Sequence, residues 1–329
     1  MCRFLHTVVA RCVLPLLMLV CVALPSRAQV DAQLTQFWAV PAYYNPSMTG
    51  DIDFIHITAG TRLQWLGIRH APMTFMALAD MPFKFFEKRW GVGVRLQQES
   101  MGLYKSTQAG AQLSFKQKLF GGTLSVGVQL GMINESFDGS RAETAAGGDS
   151  YHSENDDAIP QGSVAGTAFD LSAGVSYRHK WFWASLSCTH VTSPTVTMKA
   201  EGDEEKQYEF KAGRTCYFMA GSNIPIKNTL FELQPSVMVK SDFAFFQAEA
   251  VARVRYNKFL SAGVGYRYQD AVMVMLGADY KNFFFGYSYD YNTSAIRTAG
   301  GSHEVFVGYN VKLDMGERNR NKHKSIRIM

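Results

Sequence analysis

Residues 283–292 read FFFGYSYDYN, three Phe and three Tyr in ten positions with no Leu or Val among them. Taken alternately, Phe283, Phe285, Tyr287, Tyr289 and Tyr291 fall on one face of a strand, and Asn282, Phe284, Gly286, Ser288, Asp290 and Asn292 on the other. A period of two marks an extended strand whose faces meet different surroundings. One face is aromatic and the other mostly small or polar. A half-buried strand of a soluble sheet reads this way, and so does a strand between lipid and a polar interior; the neighbouring segments decide.

The alternation recurs in WGVGVRLQ (residues 90–97), TLSVGVQLGM (123–132), FDLSAGVSYR (169–178), FLSAGVGYRY (259–268) and EVFVGYNVKL (304–313). Each sets an apolar row, often with rings near its ends, against Gly, Ser, Gln and whole charges. A run of about ten residues is what a tilted strand needs to cross a bilayer. A sandwich core excludes charges such as Arg267 and Lys312, whereas a water-filled or polar-packed bore accepts them. Hydrocarbon leaves no backbone group unpaired, so such a sheet closes on itself. The fold class expected is therefore all-β: a transmembrane up-and-down antiparallel barrel of about 14 strands in an outer membrane. The soluble alternative is a secreted β-sandwich.

The connections sort by parity. Those after even strands are short: KFFEK, KLFG, HK, PIKN, and reversals at Asn257 and Lys281. The long ones, at about 137–163, 192–209 and 293–301, follow odd strands. Bacterial barrels have short periplasmic turns and longer outer loops. The parity predicts both termini in the periplasm and the long loops outside.

The amino terminus fits export. Arg3 and Arg11 precede the apolar run VLPLLMLVCVAL, and Ser26 and Ala28 stand at −3 and −1 of a small-residue cleavage site that leaves Gln29 first. This is the layout of a secretory signal peptide. The organisation expected is a signal peptide at 1–28, a periplasmic amino-terminal segment at 29–50, the barrel at 51–314 and a basic periplasmic tail at 315–329. Removing the signal takes three of the 33 basic residues and none of the 28 acidic ones, so the mature chain is near neutral. Nothing in that balance calls for nucleic acid as a partner. Cys188 and Cys216 are the Cys that remain, on neighbouring strands; they pair in an oxidising compartment or pack as free thiols.

The inward faces carry Glu249, Arg253 and Arg255 from QAEAVARVRY, then Arg267, Asp279, Asp290, Glu304 and Lys312. Two readings stand: a selectivity lining for a channel, or a salt-bridged interior that rigidifies a closed barrel. The mixed signs favour the second. The acidic runs ENDD (154–157) and EGDEE (201–205) lack calcium-loop spacing and read as solvated loop charge. Ser302, His303 and Glu304 are consecutive, and successive strand residues point to opposite faces, so a Ser–His pair there does not assemble. No G-x-S-x-G, H-E-x-x-H or P-loop occurs. His56, His70, His179 and His190 stand isolated and suggest no metal site. No catalysis and no cofactor are expected. The tail GERNRNKHKSIRIM, with five Lys or Arg and one acid, suits anionic lipid headgroups, an acidic partner or simple solvation.

Ahead of the first strand lies QLTQFWAVPAYYNPSMTG (33–50), where Asn45-Pro46 and Thr49-Gly50 mark turns. A bare linker has no use for Phe37, Trp38, Tyr43 and Tyr44. The segment either plugs the periplasmic mouth or presents a binding surface, and both predict burial.

The pattern Q-x-x-x-F-W-A-x-P-x-Y-x-N-P-S-x-x-G in that segment resembles the amino-terminal signature of the PorP/SprF family. Arg62, Gln64 and Trp65 in RLQW, with Pro72 and Thr74 in APMTFMALADMPF, resemble its second block. Tyr287, Tyr289, Asp290, Gly300, Gly301, Ser302, His303 and Glu304 resemble its third. Ser47 stands where members often have Ala, and the basic tail maps onto no family feature. The resemblance marks Phe37, Trp38, Pro41, Tyr44, Asn45, Pro46, Gly50, Arg62, Gln64, Trp65, Gly301, Ser302, His303 and Glu304 as family-motif or partner-binding candidates. It implies a non-enzymatic outer-membrane part of the type IX secretion system of Bacteroidetes. Partners would be a periplasmic ring or peptidoglycan-binding protein, or the carboxy-terminal domain of a secreted cargo, besides membrane lipid. Some members are paired with one adhesin and serve its export and gliding. A barrel of this size is too narrow for a folded protein, which favours an anchor or adaptor over a conduit. The alternatives are a diffusion porin or small-molecule transporter, and a membrane lipase or deacylase.

Overall fold

The computed structural model describes residues 31–141, 160, 162–200, 203–294 and 300–313. The expected signal peptide, the acidic run at 154–157, residues 201–202 of the second acidic run and the basic tail lie outside the described residues.

The chain forms β1 (Phe54–Leu63), β2 (Met73–Phe85), β3 (Lys88–Met101), β4 (Tyr104–Leu119), β5 (Gly122–Asp138), β6 (Ser163–Arg178), β7 (Phe182–Thr189), β8 (Thr195–Ala200), β9 (Asp203–Lys211), β10 (Thr215–Ser222), β11 (Ile224–Pro225), β12 (Phe231–Ser241), β13 (Phe246–Tyr256), β14 (Leu260–Arg267), β15 (Ala271–Tyr280), β16 (Phe283–Asn292) and β17 (Ser302–Lys312). β11 continues β10 along β12, and β8–β9 is a hairpin standing over β7, so 14 strands make the wall. All pairs are antiparallel. β1 pairs with β2 on one side and with β17 on the other, Phe54 opposite Lys312 and Leu63 opposite His303, which closes the barrel. No helix among the described residues is long and apolar enough to cross a membrane.

The period-two pattern sets the two faces. On β16, Phe283, Phe285, Tyr287 and Tyr291 are 40–56% exposed, while Ser288, Asp290 and Asn292 are at most 4% exposed. On β3 Val94 and Leu96 face out and Arg95 and Gln97 are buried. A one-residue slip would exchange these faces, so hydrocarbon outside and polar packing inside hold the register. β4 and β5, at 16 and 17 residues, exceed the crossing length and carry the wall past the membrane at the end of the long loops.

Cys188 and Cys216 sit directly opposite on β7 and β10 and form a disulfide. The bond fastens the base of the β8–β9 hairpin across a sequence separation of 28 residues. Loop-closure entropy makes such a link worth about 3–4 kcal/mol. The double variant Cys188→Ser/Cys216→Ser is therefore expected to unfold at lower temperature. A reductant should lower the wild-type midpoint to the same value and leave the variant where it is.

The interior is a second packed core, not water. Residues 31–50, expected at the periplasmic mouth, run through the bore itself. Phe37, Val40, Asn45, Ser47 and Thr49 are 0% exposed, and Tyr43 and Tyr44 are 3% and 1% exposed. The facing wall supplies Met76, Met219, Met238, Met273, Met275 and Phe306 as an apolar sector. The inward rows are thus less polar than their sequence suggests. They are matched to a ring-rich strap rather than to solvent.

Candidate functional site

The strap is shaped by its own sequence. Pro41 opens a helical turn, Pro41–Tyr44, and Pro46 opens a 3₁₀ turn, Pro46–Met48; each Pro takes a first-turn place where its missing N–H costs nothing. Between them the Asn45 side chain accepts a bond from Ser47 N at 2.9 Å and donates to the carbonyls of Val175 and Leu186. The chain can lie this close because the wall is bare where it passes. A Cβ on Gly127 would stand 2.3 Å from Ser47 N, and one on Gly91 would stand 2.1 Å from Thr49 O. Gly50, at φ +65°, turns the strap toward β1.

Three groups of polar contacts fasten it. On the long-loop half of the strands the carboxylate of Glu304 accepts from two consecutive strap amides, Thr35 N and Gln36 N, both at 2.8 Å. Arg62 bridges Glu304 (3.3 Å) and Asp290 (2.7 Å) and donates to Thr35 Oγ1. Arg267 reaches Glu249 (2.8 Å), Asp290 (3.2 Å) and Asp270 (3.2 Å), and donates to the same Thr35 hydroxyl. Thr35 in turn donates to Asp290. Buried charges are tolerated only when paired and hydrogen-bonded. Here strap backbone supplies part of that pairing, so strap and network require each other.

Toward the short-turn end, Asp51 binds Lys116 (2.5 Å) and Arg178 (2.7 Å), and Gly50 N donates to Asp80 at 2.6 Å. Toward the long-loop end, Asp31 meets His190 Nε2 at 3.1 Å, while His190 Nδ1 meets Asp170 at 2.9 Å. Thr189 and Tyr217 also donate to Asp31, each at 2.7 Å. Two carboxylates on two ring nitrogens call for an imidazolium. Burial alone would lower its pKa; Asp31 and Asp170 outweigh burial and hold it up at about 10. A raised pKa adds stability that is full below the free value of about 6.5 and is lost as pH rises through about 10. His190→Gln is expected to be less stable than wild type at pH 7, with the gap shrinking steadily from about pH 6.5 and closed above about pH 10; thermal melts of both proteins from pH 6 to pH 11 check it.

Asp31, Ala32 and Gln33 floor a cavity of about 670 Å³ that opens among the long-loop connections. Its walls include Trp65, Phe245, Phe246 and Tyr268, with Glu99 and Lys240 also in the lining. Lys240 is 2% exposed, and its Nζ donates to Asp31 O at 3.4 Å. The amino-terminal end of the strap therefore lies toward the long loops and its Gly50 end toward the short turns.

The motif blocks, remote in sequence, converge. Arg62 and Glu304 meet at the strap, with Asp290 beside them. Trp38 lies under the Arg253 guanidinium, 3.3 Å from its ring centroid, and Arg253 also bonds Gln234. Pro41, Tyr44, Asn45, Pro46 and Gly50 belong to the strap itself, and of the expected docking stretch Phe37, Tyr43 and Tyr44 are at most 3% exposed inside the bore. Ser302 is buried and accepts from Trp65 N, and Gly301 O accepts from Leu66 N. Gln64 N donates to Pro72 O. His303 points the other way, bonding Tyr287 at 2.8 Å on the outer wall, so Ser302 and His303 do not pair. Of the inward charges, Arg255 pairs with Asp279 at 3.0 Å. Lys312 is the exception: it has the inward parity but ends β17 exposed at the rim. His190, read as isolated, belongs to a carboxylate-flanked latch. Thr35, Asp31 and Asp170 gave no signal in the sequence, because their roles depend on which strap residue meets which strand. Among the described residues no His, Cys, Asp and Glu cluster suits a metal ion.

The family described as "Type IX secretion system membrane protein PorP/SprF" matches residues 26–309. None of the curated proteins matches. Solved structures with a similar fold include a Pseudomonas aeruginosa FadL homologue (TM-score 0.48, 9% identity, covering 82% of this chain and 93% of that one). The TodX deltaS2S3 mutant monoaromatic hydrocarbon channel follows (0.47, 10%, 83% and 94%). So does the translocator domain of the autotransporter NalP from Neisseria meningitidis (0.42, 12%, 84% and 94%).

Proposed function

The chain belongs to the PorP/SprF family of type IX secretion system membrane proteins, and from that membership we propose that it is a non-enzymatic anchor or adaptor, holding either periplasmic machinery or a secreted cargo at the outer membrane. The observation that carries the reading is the filled bore. A strap largely buried from Asp31 to Gly50 and fastened by three groups of contacts occupies the bore, which supports a role for the surfaces of the two ends over one for the interior. In this reading the signal at 1–28 is removed, the short turns face the periplasm and the long loops face outward. The aromatic vestibule above Asp31 then receives cargo, and the short-turn end and basic tail receive ring or peptidoglycan-binding components.

Deleting the gene should stop export of selected cargo while outer-membrane permeability stays normal. Affinity purification of the tagged chain from native membranes should recover secretion components or one cargo. Recovering neither, with export intact, ends the reading. The porin alternative predicts steady conductance in planar bilayers; the closed interior argues for silence.

A further inference from the structure

All six connections at the short-turn end share one composition, a Lys coupled to an aromatic ring. They read KFFEK (84–88), KLFGG (118–122), HKWF (179–182), IKNTLF (226–231), YNKF (256–259) and YKNF (280–283). Each carries at least one Lys in or beside the reversal, together with an aromatic ring, and Glu87 is the single acid among them. These side chains stand out from the barrel: Phe86 is 83% exposed, Phe120 86% and Trp181 57%. The lysine stems lie along the rings, Lys180 Nζ 5.3 Å from the Trp181 centroid and Lys281 Nζ 5.3 Å from that of Tyr280. At the long-loop end the connections 64–72, 190–194, 242–245 and 268–270 contain no Lys, while Lys105 flanks the 102–103 reversal and Lys199, Lys206 and Lys211 lie on the β8–β9 hairpin. What sets the short-turn end apart is that every reversal there couples a Lys to an exposed ring.

The lysines and rings alternate around the whole circumference, because a short turn follows every second strand. A protein partner approaching from the side would meet one arc of such a ring. A leaflet meets all of it, and at one height. Exposed rings settle where hydrocarbon gives way to headgroups, and ammonium groups on apolar stems reach from there to the phosphates. We propose that this ring is a binding surface for anionic phospholipid headgroups, and that it seats the barrel in the leaflet at its short-turn end. The inference is independent of which partner the vestibule holds.

The test uses the full mature chain in bilayers of phosphatidylcholine mixed with phosphatidylglycerol. Quenching of its Trp fluorescence by brominated phosphatidylglycerol or brominated phosphatidylcholine gives relative binding constants for the two headgroups. The expected preference for phosphatidylglycerol is about five-fold, the factor one near-surface lysine supplies, and it should fall with salt. A variant with Lys88, Lys118, Lys180, Lys227, Lys258 and Lys281 changed to Gln should lose the preference, and the same six changed to Arg should keep it. Heat-modifiable gel migration checks that both variants fold, and Lys227→Gln/Lys281→Gln offers a milder case with partial loss. Equal constants for the wild type would overturn the proposal and turn attention to an acidic protein surface. An undiminished preference in the folded six-Gln variant would overturn it too.

Discussion

Glu304→Ala is expected to destabilise the folded barrel by about 3–5 kcal/mol, the cost of removing one partner from a buried ion pair. Glu304 is 0% exposed and is the acceptor for two strap amides and for Arg62. Without it, two buried backbone N–H groups, those of Thr35 and Gln36, lose their partner. Arg62 keeps Asp290 and Arg267 keeps Glu249 and Asp270, so the loss falls on Arg62's second carboxylate contact and on the two amides. Gln is no rescue: an amide oxygen can accept from one of the two N–H groups, and its NH₂ would face the other. The double variant Arg62→Met/Glu304→Met removes both charges and should cost less than the sum of the singles, because neither is left stranded. Urea unfolding in lipid vesicles measures all three. A cost for Glu304→Ala under 1 kcal/mol would mean that the strap is held by its rings alone.

This result bears on how much was legible beforehand. Alternation gave the wall, since lipid and the packed interior impose a period of two on every strand, and FFFGYSYDYN displays it without interruption. Parity of the turns followed from the same count. The inward charges were legible as inward because Arg267 and Glu304 stand at positions opposite to the apolar row. Their partners were not. Glu304 binds Thr35 across 269 residues of chain, and no local pattern records a contact of that span. The strap shows the limit from the other side: its rings and prolines announced burial, but the mouth and the full bore demand the same composition. What separates them is the glycines at 91 and 127, whose bare inward faces read in sequence as ordinary small lumen residues and are in fact the channel along which the strap is laid. His190 was legible as a histidine near a strand end, and nothing nearby in sequence hinted at Asp31 or Asp170.

Gly127→Val is expected to turn a silent barrel into a conducting one. The wild type should pass no current in planar bilayers, because residues 31–50 fill the bore. The valine Cβ would fall 2.3 Å from Ser47 N and 2.4 Å from Pro46 C, both main-chain atoms that cannot swing aside as a side-chain tip would. The wall at this point is paired on both sides, Gly127 opposite Ser114 on β4 and Gly174 on β6, and a β-branched residue suits a strand. The conflict is therefore resolved on the strap side, by moving the segment around Pro46. Once displaced, the strap gives up the Asn45 bonds to the wall and the contacts of Ser47 with Ser176. A 14-stranded wall falls between barrels that side chains alone can fill and those with open aqueous channels, so the vacated bore admits water and ions. A protease site inserted at Thr49 should become cleavable in the same variant. Gly213→Ala is the control: a Cβ there meets nothing within 4 Å, and that protein should stay silent. Silence from a folded Gly127→Val barrel with an uncut strap would show that the wall yields instead, and the bore would then owe its closure to a deformable sheet rather than to a fixed insert.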